Sequence, residues 1–232
     1  MNIELDDKHW DALSKIAKDR HRTNLFKKYE QITIAFLVQH IPACITPNIL
    51  TAIGLFGSFI TAMSFVLAAY VNRYFLLLGL VGFAINWFGD SLDGRLAYYR
   101  NTPRKWYGFT LDFSVDWLTI IMISFGFIVY APGNLKLLGF AFAVMYAWAM
   151  ITALLRYKLT NKYKIDSGLF GPTEARIIIS IVLIFEVIIQ NSILYTAGVV
   201  CVFLLFINVT DFLKLLKQAD EKDKLERLNK LE

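Results

Sequence analysis

The sequence predicts an all-α integral membrane protein, in which six transmembrane helices follow an N-terminal amphipathic helix at the membrane interface. The 232 residues are 56% hydrophobic and have a mean hydropathy of +0.49, which is too apolar for an ordinary soluble domain. Long apolar runs recur along the chain, each close to the roughly 20 residues that cross a hydrocarbon core as a helix. Lysine and arginine are concentrated in alternate connections between these runs.

Six segments have the length and composition of membrane spans. The breaks between them contain residues that favour turns, such as Asn72, Pro132 and Asn191. Thr46 followed by Pro47 is typical of a helix start, with an N-cap and a proline in the first turn. The predicted spans are 48–71, 74–98, 107–130, 135–157, 172–190 and 193–213.

The segment before the first span contains a further helical pattern. Its apolar residues recur at helical spacing beside charged ones, at Leu25, Phe26, Tyr29, Ile32 and Phe36. Such a helix either lies in the cytoplasmic interface of the membrane or packs on the membrane domain. With no internal repeat, we expect an N-terminal segment at 1–46, a six-helix catalytic membrane domain at 47–213 and a charged cytoplasmic tail at 214–232.

The distribution of basic residues predicts the orientation. They are frequent before the first span, in the links after the second and fourth spans, and in the tail, and they are sparse in the other links. By the positive-inside rule, both termini and the link after the second span face the cytoplasm. This topology accounts for the formal net charge of +5, so we expect membrane lipid and not nucleic acid as a partner.

Four aspartates stand where the second and third spans adjoin. Asp90 and Asp93 are three residues apart, and Asp112 and Asp116 are four apart, so each pair lies on one helical face. A carboxylate near hydrocarbon is costly unless its charge is balanced. We therefore expect the four acids to bind a cation, and ligands that are all oxygen favour Mg2+ or Mn2+, as one ion or two.

This stretch resembles the signature of the CDP-alcohol phosphotransferase (CDP-alcohol phosphatidyltransferase) family, D-x-x-D-G-x-x-A-R and then G-x-x-x-D-x-x-x-D. The first half is matched at Asp90, Asp93, Gly94 and Ala97. The second half is matched at Gly108, Asp112 and Asp116, with nine residues between Tyr98 and Gly108. The chain also has Thr46-Pro47-Asn48, which resembles the family's frequent entry to the first span.

The resemblance implies a metal-dependent enzyme of phospholipid biosynthesis. Such enzymes transfer a substituted phosphoryl group from a CDP-alcohol, such as CDP-diacylglycerol, to the hydroxyl of a lipid or polar alcohol, and release CMP. By position it implies metal ligands at Asp90, Asp93, Asp112 and Asp116, the last also being the general base. It implies a nucleotide site at Gly94, Ala97, Tyr98 and Gly108. Family members are commonly homodimers, and we carry this over as an expectation.

One position departs from the signature. Tyr98 stands where the family has arginine, and it offers no fixed charge for a diphosphate. Arg95 and Arg100 are close in sequence but point elsewhere on a helix. A catalytically weak or silent relative that only binds CDP-lipid therefore stays open beside the enzyme. An ion transporter is less favoured, because its acids should lie near the membrane midplane.

Further polar residues could serve the acids or an acceptor. Candidates for binding a phosphate or polar acceptor at the cytoplasmic mouth are Arg156, Thr173, Glu174 and Arg176. Topology explains the two arginines equally well. Asn86, four residues before Asp90, either supports the acids or makes a polar contact between helices. Glu186 lies near the other membrane face and is expected to make structural contacts.

Overall fold

The computed structural model describes residues 27–160 and 172–228. All regular secondary structure in these residues is helical, which confirms the predicted fold class for them. The α-helices are α1 (Lys27–His40), α2 (Pro47–Tyr70), α3 (Leu76–Tyr99), α4 (Lys105–Tyr130), α5 (Leu137–Thr160), α6 (Pro172–Ile188) and α7 (Ser192–Leu228). Single 3-10 turns at Arg73–Phe75 and Gly133–Lys136 lead into α3 and α5.

Five helical segments of the described chain are long and apolar enough to cross a membrane, and they indicate an integral membrane protein. They are Pro47–Tyr70, Arg73–Tyr99, Lys105–Tyr130, Gly133–Thr160 and Ser192–Leu228. The helix α6 has 17 residues, fewer than the roughly 20 that cross a hydrocarbon core. The count of six spans therefore stays a prediction.

The last helix is much longer than a membrane crossing requires. At 37 residues, α7 is about 55 Å long, against a hydrocarbon core of about 30 Å. Beyond the predicted sixth span, the Nζ atom of Lys222 donates to the carbonyl oxygen of Leu159 at 3.1 Å, near the end of α5. The helix thus runs unbroken through the predicted boundary at residue 214. The division into an N-terminal segment, a membrane domain and a charged tail stays a prediction.

Small residues let α2 and α3 approach closely. A Cβ on Gly57 would lie 2.6 Å from the carbonyl oxygen of Gly82, so only glycine fits there. A Cβ on Gly54 would lie 3.2 Å from the backbone nitrogen of Asp90. Glycine-lined contacts of this kind are typical of packed membrane helices. This contact fixes the start of the aspartate segment directly against α2.

The N-terminal helix α1 packs against the same ends of α2 and α3. Its buried apolar residues include Ile34, Ala35 and Val38, which pack with Leu50, Leu92 and Leu96. Phe36 of α1 is 48% exposed, so part of the predicted apolar face points away from this contact. The packing agrees with a helix docked on the membrane domain, and an interfacial position stays a prediction. Leu25 and Phe26 of the predicted face lie outside the described residues.

A buried carboxylate fixes the opposite end of α6. Glu186 is 0% exposed and accepts a hydrogen bond from the Tyr130 hydroxyl of α4 at 2.6 Å. It also accepts from the backbone nitrogens of Asn191 and Ile193 at 2.9 and 2.8 Å, and from the Ser192 hydroxyl at 3.2 Å. Asn191 has a φ of 70°, a left-handed conformation that asparagine tolerates. These bonds tie α4 and α6 to the start of α7.

We expect Glu186→Gln to lower the melting temperature in detergent by roughly 3 to 10 °C. The glutamine amide group places a donor among the existing donors, and a lost buried acceptor costs roughly 1 to 3 kcal/mol. Thermal unfolding followed by tryptophan fluorescence measures the change. Glu221→Gln, an exposed change on α7, is the matched control and should leave the melting temperature within about 2 °C. Equal stability of the Glu186 variant would contradict the structural role of this carboxylate.

Candidate active site

Three of the four predicted acids meet between α3 and α4. One carboxylate oxygen from each of Asp90, Asp112 and Asp116 lies within 4.8 Å of the others, and all three side chains are partly buried. Carboxylates this close repel one another unless a cation balances them. Two oxygens on one Mg2+ lie up to about 4.2 Å apart, so small rotations suffice to share an ion. This donor set, here called the acid group, fits Mg2+ or Mn2+.

Asp93 lies outside the acid group. Its Oδ2 atom accepts a hydrogen bond of 2.6 Å from Thr51 Oγ1 on α2. Thr51 is 7% exposed, so this contact is buried between the two helices. Asp93 remains at the same end of α3 as Asp90, but the structure gives it a different neighbour. Its predicted role as a metal ligand stays a prediction.

An arginine from α6 binds the acid group. The Nη2 atom of Arg176 lies 2.5 Å from Asp90 Oδ2, and its Nε donates to Asn86 Oδ1 at 2.7 Å. The Asn86 amide nitrogen donates to the carbonyl oxygen of Gly54 at 3.0 Å and to Ser58 Oγ at 2.9 Å. Because both ends of the Asn86 amide are used, Arg176 is held in one orientation toward Asp90. Asn86 therefore fulfils both roles considered from the sequence.

The other predicted acceptor residues are engaged elsewhere or buried. Arg156 forms an ion pair with Asp211 of α7 at 3.2 Å. The Thr173 hydroxyl donates to Glu30 of α1 at 3.3 Å. Glu174 is 5% exposed, so little of its surface can meet an acceptor. Among the four candidates, Arg176 of α6 contacts the acid group.

The two glycines of the signature border open space. A Cβ built on Gly94 or Gly108 meets no heavy atom of the described chain within 4 Å. Packing within these residues therefore does not require glycine at either position. A ligand that approaches the backbone closely would require it, as expected for the predicted nucleotide site. Ala97 and Tyr98, one turn further along α3, are partly buried.

The acid group lies between an open end and an apolar interior of the membrane domain. Asp116 lies about 12 Å further along α4 than Gly108, at 1.5 Å per residue. Beyond it, a buried apolar cluster fills the remaining space between the helices, including Phe65, Phe127 and Leu183. The described residues thus place open space on one side of the acids and an apolar core on the other. A conducting path across the membrane would need polar groups on both sides.

Several residues around this site could not be identified from sequence patterns. Thr51 and Arg104 act through partners more than 40 residues away, so no local pattern indicates them. Tyr146 of α5 lies close enough to Asp116 and Asp90 for their charges to act on its hydroxyl. The tyrosine stands in a predicted span without any motif around it. Contacts between helices bring Thr51 to Asp93 and hold Arg104 beside Asn48.

The family model of CDP-alcohol phosphatidyltransferases matches residues 44–212. The match begins before α2, ends within α7 and includes the acid group, the signature glycines and Arg176. No individual curated protein matches the chain. Since the matched region is well over half of the 232 residues, the sequence and the site geometry lead to one assignment. The chain belongs to the CDP-alcohol phosphatidyltransferase family.

Proposed function

We propose that the protein transfers a substituted phosphoryl group from a CDP-alcohol, such as CDP-diacylglycerol, to the hydroxyl of a lipid or polar alcohol and releases CMP. The family implies phosphatidyl transfer from a CDP-alcohol in phospholipid synthesis. The observation that best supports an active enzyme is the convergence of Asp90, Asp112 and Asp116, which each have a carboxylate oxygen within 4.8 Å of the others. Such a costly group of charges between membrane helices needs a bound cation.

Asp90, Asp112 and Asp116 would hold Mg2+ or Mn2+, as one ion or two, with Asp93 as a further ligand after rotation away from Thr51. When bound, the metal would neutralise the diphosphate and stabilise the charge on departing CMP. Arg176 adds a fixed positive charge at the same place. Its contact with Asn86 keeps the Asp90 carboxylate in position before any ligand arrives.

Asp116 is the general base of this proposal. The acceptor hydroxyl gives its proton to the Asp116 carboxylate, and its oxygen forms a bond to the phosphorus that carries the alcohol. The bond from this phosphorus to the CMP oxygen breaks, and CMP leaves with the electron pair. Asp116 suits this role because it lies one helical turn beyond Asp112 on α4, about 12 Å along the helix from Gly108 at the open space.

Two competing functions make different demands on the same residues. A silent CDP-lipid-binding relative would need the nucleotide site but not Asp116, and Tyr98 is the residue that favours it. The retained acid group favours an enzyme. An ion transporter fits less well, because buried apolar residues lie beyond the acids.

We also propose that both termini and the site face the cytoplasm, from the distribution of basic residues. We further propose that the chain forms homodimers, as members of the family commonly do.

The first expected outcome is metal-dependent release of CMP. Purified protein in lipid nanodiscs should convert CDP-diacylglycerol to CMP when Mg2+ or Mn2+ and an acceptor are supplied, and EDTA should abolish the reaction. The acceptors to test are glycerol phosphate, inositol phosphate, inositol and serine, with CDP-ethanolamine and diacylglycerol as the alternative pair. Mass spectrometry detects CMP and the new lipid.

Three other results would contradict parts of this proposal. Saturable binding of CDP-diacylglycerol without CMP from any pair would contradict the enzyme and support the silent relative. Full turnover after thorough chelation would contradict the metal site. Ion flux in liposomes that requires Asp90 and Asp116 would instead support a transporter.

The second expected outcome concerns Asp116→Asn, which preserves shape and removes basicity. The rate constant kcat should fall about 100- to 10,000-fold, while KM and the binding of CDP-diacylglycerol stay close to wild type. Asp90→Asn should instead weaken metal and donor binding, with activity partly recovered at high metal concentration. The exposed change Asp223→Asn on α7 controls for lost negative charge. Near wild-type turnover in Asp116→Asn, or a defect that excess metal repairs, would contradict the assignment of the base.

A further inference from the structure

Two arginines near Tyr98 are committed to the fold. Arg100 donates to the carbonyl oxygens of Ile45, Pro42 and Ile41 at 2.6, 2.9 and 3.2 Å. These bonds attach the segment between α1 and α2 to the end of α3. Arg95 is only 6% exposed, so its guanidinium is enclosed by protein. The fold therefore uses Arg100, and little of the Arg95 surface is open to a ligand.

Arg104, at the start of α4, is differently placed. Its side chain is exposed, and its Nη2 atom donates to Asn48 Oδ1 at 2.6 Å. The guanidinium carbon lies 4.1 Å from the centre of the Tyr107 ring, and the Tyr107 hydroxyl accepts from Asn48 at 3.2 Å. Asn48 and Tyr107 therefore hold the guanidinium plane in one orientation while they use one of its five donors. Arginine binds phosphate best through such an oriented fork.

The contacts of α2 connect Arg104 to the predicted nucleotide site. Asn48 and Thr51 are three residues apart and share one face of α2. Asn48 binds Arg104, and Thr51 binds Asp93, so one face of α2 contacts both the start of α4 and the aspartate segment of α3. Gly108 follows one turn after Arg104 on α4, and its backbone nitrogen donates to the Arg104 carbonyl oxygen at 2.7 Å.

The space next to these contacts is open. Gly94 follows Asp93 on α3, and a Cβ on Gly94 or Gly108 would touch nothing in the described residues within 4 Å. Backbone without a side chain therefore borders open space at Gly94 on α3 and at Gly108 on α4. The oriented guanidinium belongs to Arg104, one helical turn before Gly108. This combination suits a ligand with a phosphate group that lies flat against backbone.

We propose that Arg104 binds the diphosphate of the CDP-alcohol and supplies the positive charge that Tyr98 does not provide. This inference rests on the proposed function, because it names a residue of the same donor site. Asn48 and Tyr107 are the positioning residues of the guanidinium. The phosphate attached to cytidine contacts Arg104 near the open end, while the phosphate that carries the alcohol, and is transferred, lies toward the acid group. The chain therefore keeps a phosphate-binding arginine, but on α4 and not on α3.

The test compares Arg104→Gln with Lys105→Gln. Both variants remove one positive charge from neighbouring exposed positions, and Lys105 takes no part in the contact between Asn48 and Tyr107. Binding of CDP and of CDP-diacylglycerol to protein in nanodiscs is measured by calorimetry in the presence of Mg2+. Arg104→Gln should weaken both roughly 10- to 100-fold, as expected for a charged hydrogen bond. Lys105→Gln should change them by less than about twofold.

Two further measurements separate binding of the phosphates by Arg104 from binding of the cytosine base. Arg104→Lys keeps the charge but loses the fork, so its affinity for CDP should fall between those of the wild type and the glutamine variant. Cytidine, measured by competition, should bind both Arg104 variants as it binds the wild type. An equal loss of cytidine binding would overturn the phosphate assignment and place the base on Arg104.

The outcomes distinguish this inference from the proposed function. A wild type that binds CDP and CDP-diacylglycerol, together with an Arg104→Gln variant that binds them equally well, would overturn the Arg104 assignment alone. A wild type that binds neither ligand would overturn the proposed function and this inference with it. Equal losses in the Arg104→Gln and Lys105→Gln variants would show only general charge attraction, and would also overturn the assignment.

Discussion

The ion pair between Arg176 and Asp90 is the interaction on which the arrangement of the site depends. Arg176 also binds Asn86, which donates to Ser58 of α2, and the Ser58 hydroxyl lies 2.9 Å from that of Thr119 on α4. This chain of contacts joins α6, α3, α2 and α4 around the acid group. A charge that is buried without such partners would cost several kcal/mol, so the network and the acids depend on each other. The glycines between α2 and α3 make the contacts possible, because they let both backbones approach.

Carboxylates lie at both ends of the bundle, but their negative charges are balanced in different ways. Near the open end, Arg176 pairs with Asp90, one of three clustered carboxylates, and we propose that a divalent metal balances their remaining charge. At the other end, Glu186 is satisfied by four hydrogen-bond donors of the chain itself and needs no cation. The apolar cluster between them separates a carboxylate of the fold from those of the site. Burial of an acid alone therefore does not indicate a functional site. The number of its hydrogen-bond donors and the charges of its neighbours distinguish a structural carboxylate from a functional one.

Local patterns in the sequence predicted the helices and the acids. Apolar runs predicted the spans, and spacings of three and four residues placed the aspartates on two helical faces, of which the structure brings three members together. Contacts between residues far apart along the chain were not predictable. Thr51 meets Asp93 and Asn48 meets Arg104 only because glycines fix how α2, α3 and α4 pack. The span predicted at 172–190 stays a prediction, because α6 has only 17 residues.

Binding of a divalent cation by the acid group is the central claim, and it can be measured directly. Electron paramagnetic resonance of Mn2+ titrated into purified protein should show saturable binding that Mg2+ displaces. Asp112→Asn should weaken this binding at least about tenfold, because it removes one of three charged ligands. The exposed control Asp223→Asn should bind as the wild type does. Absence of saturable Mn2+ binding in the wild type, or unchanged binding in Asp112→Asn, would contradict the metal site.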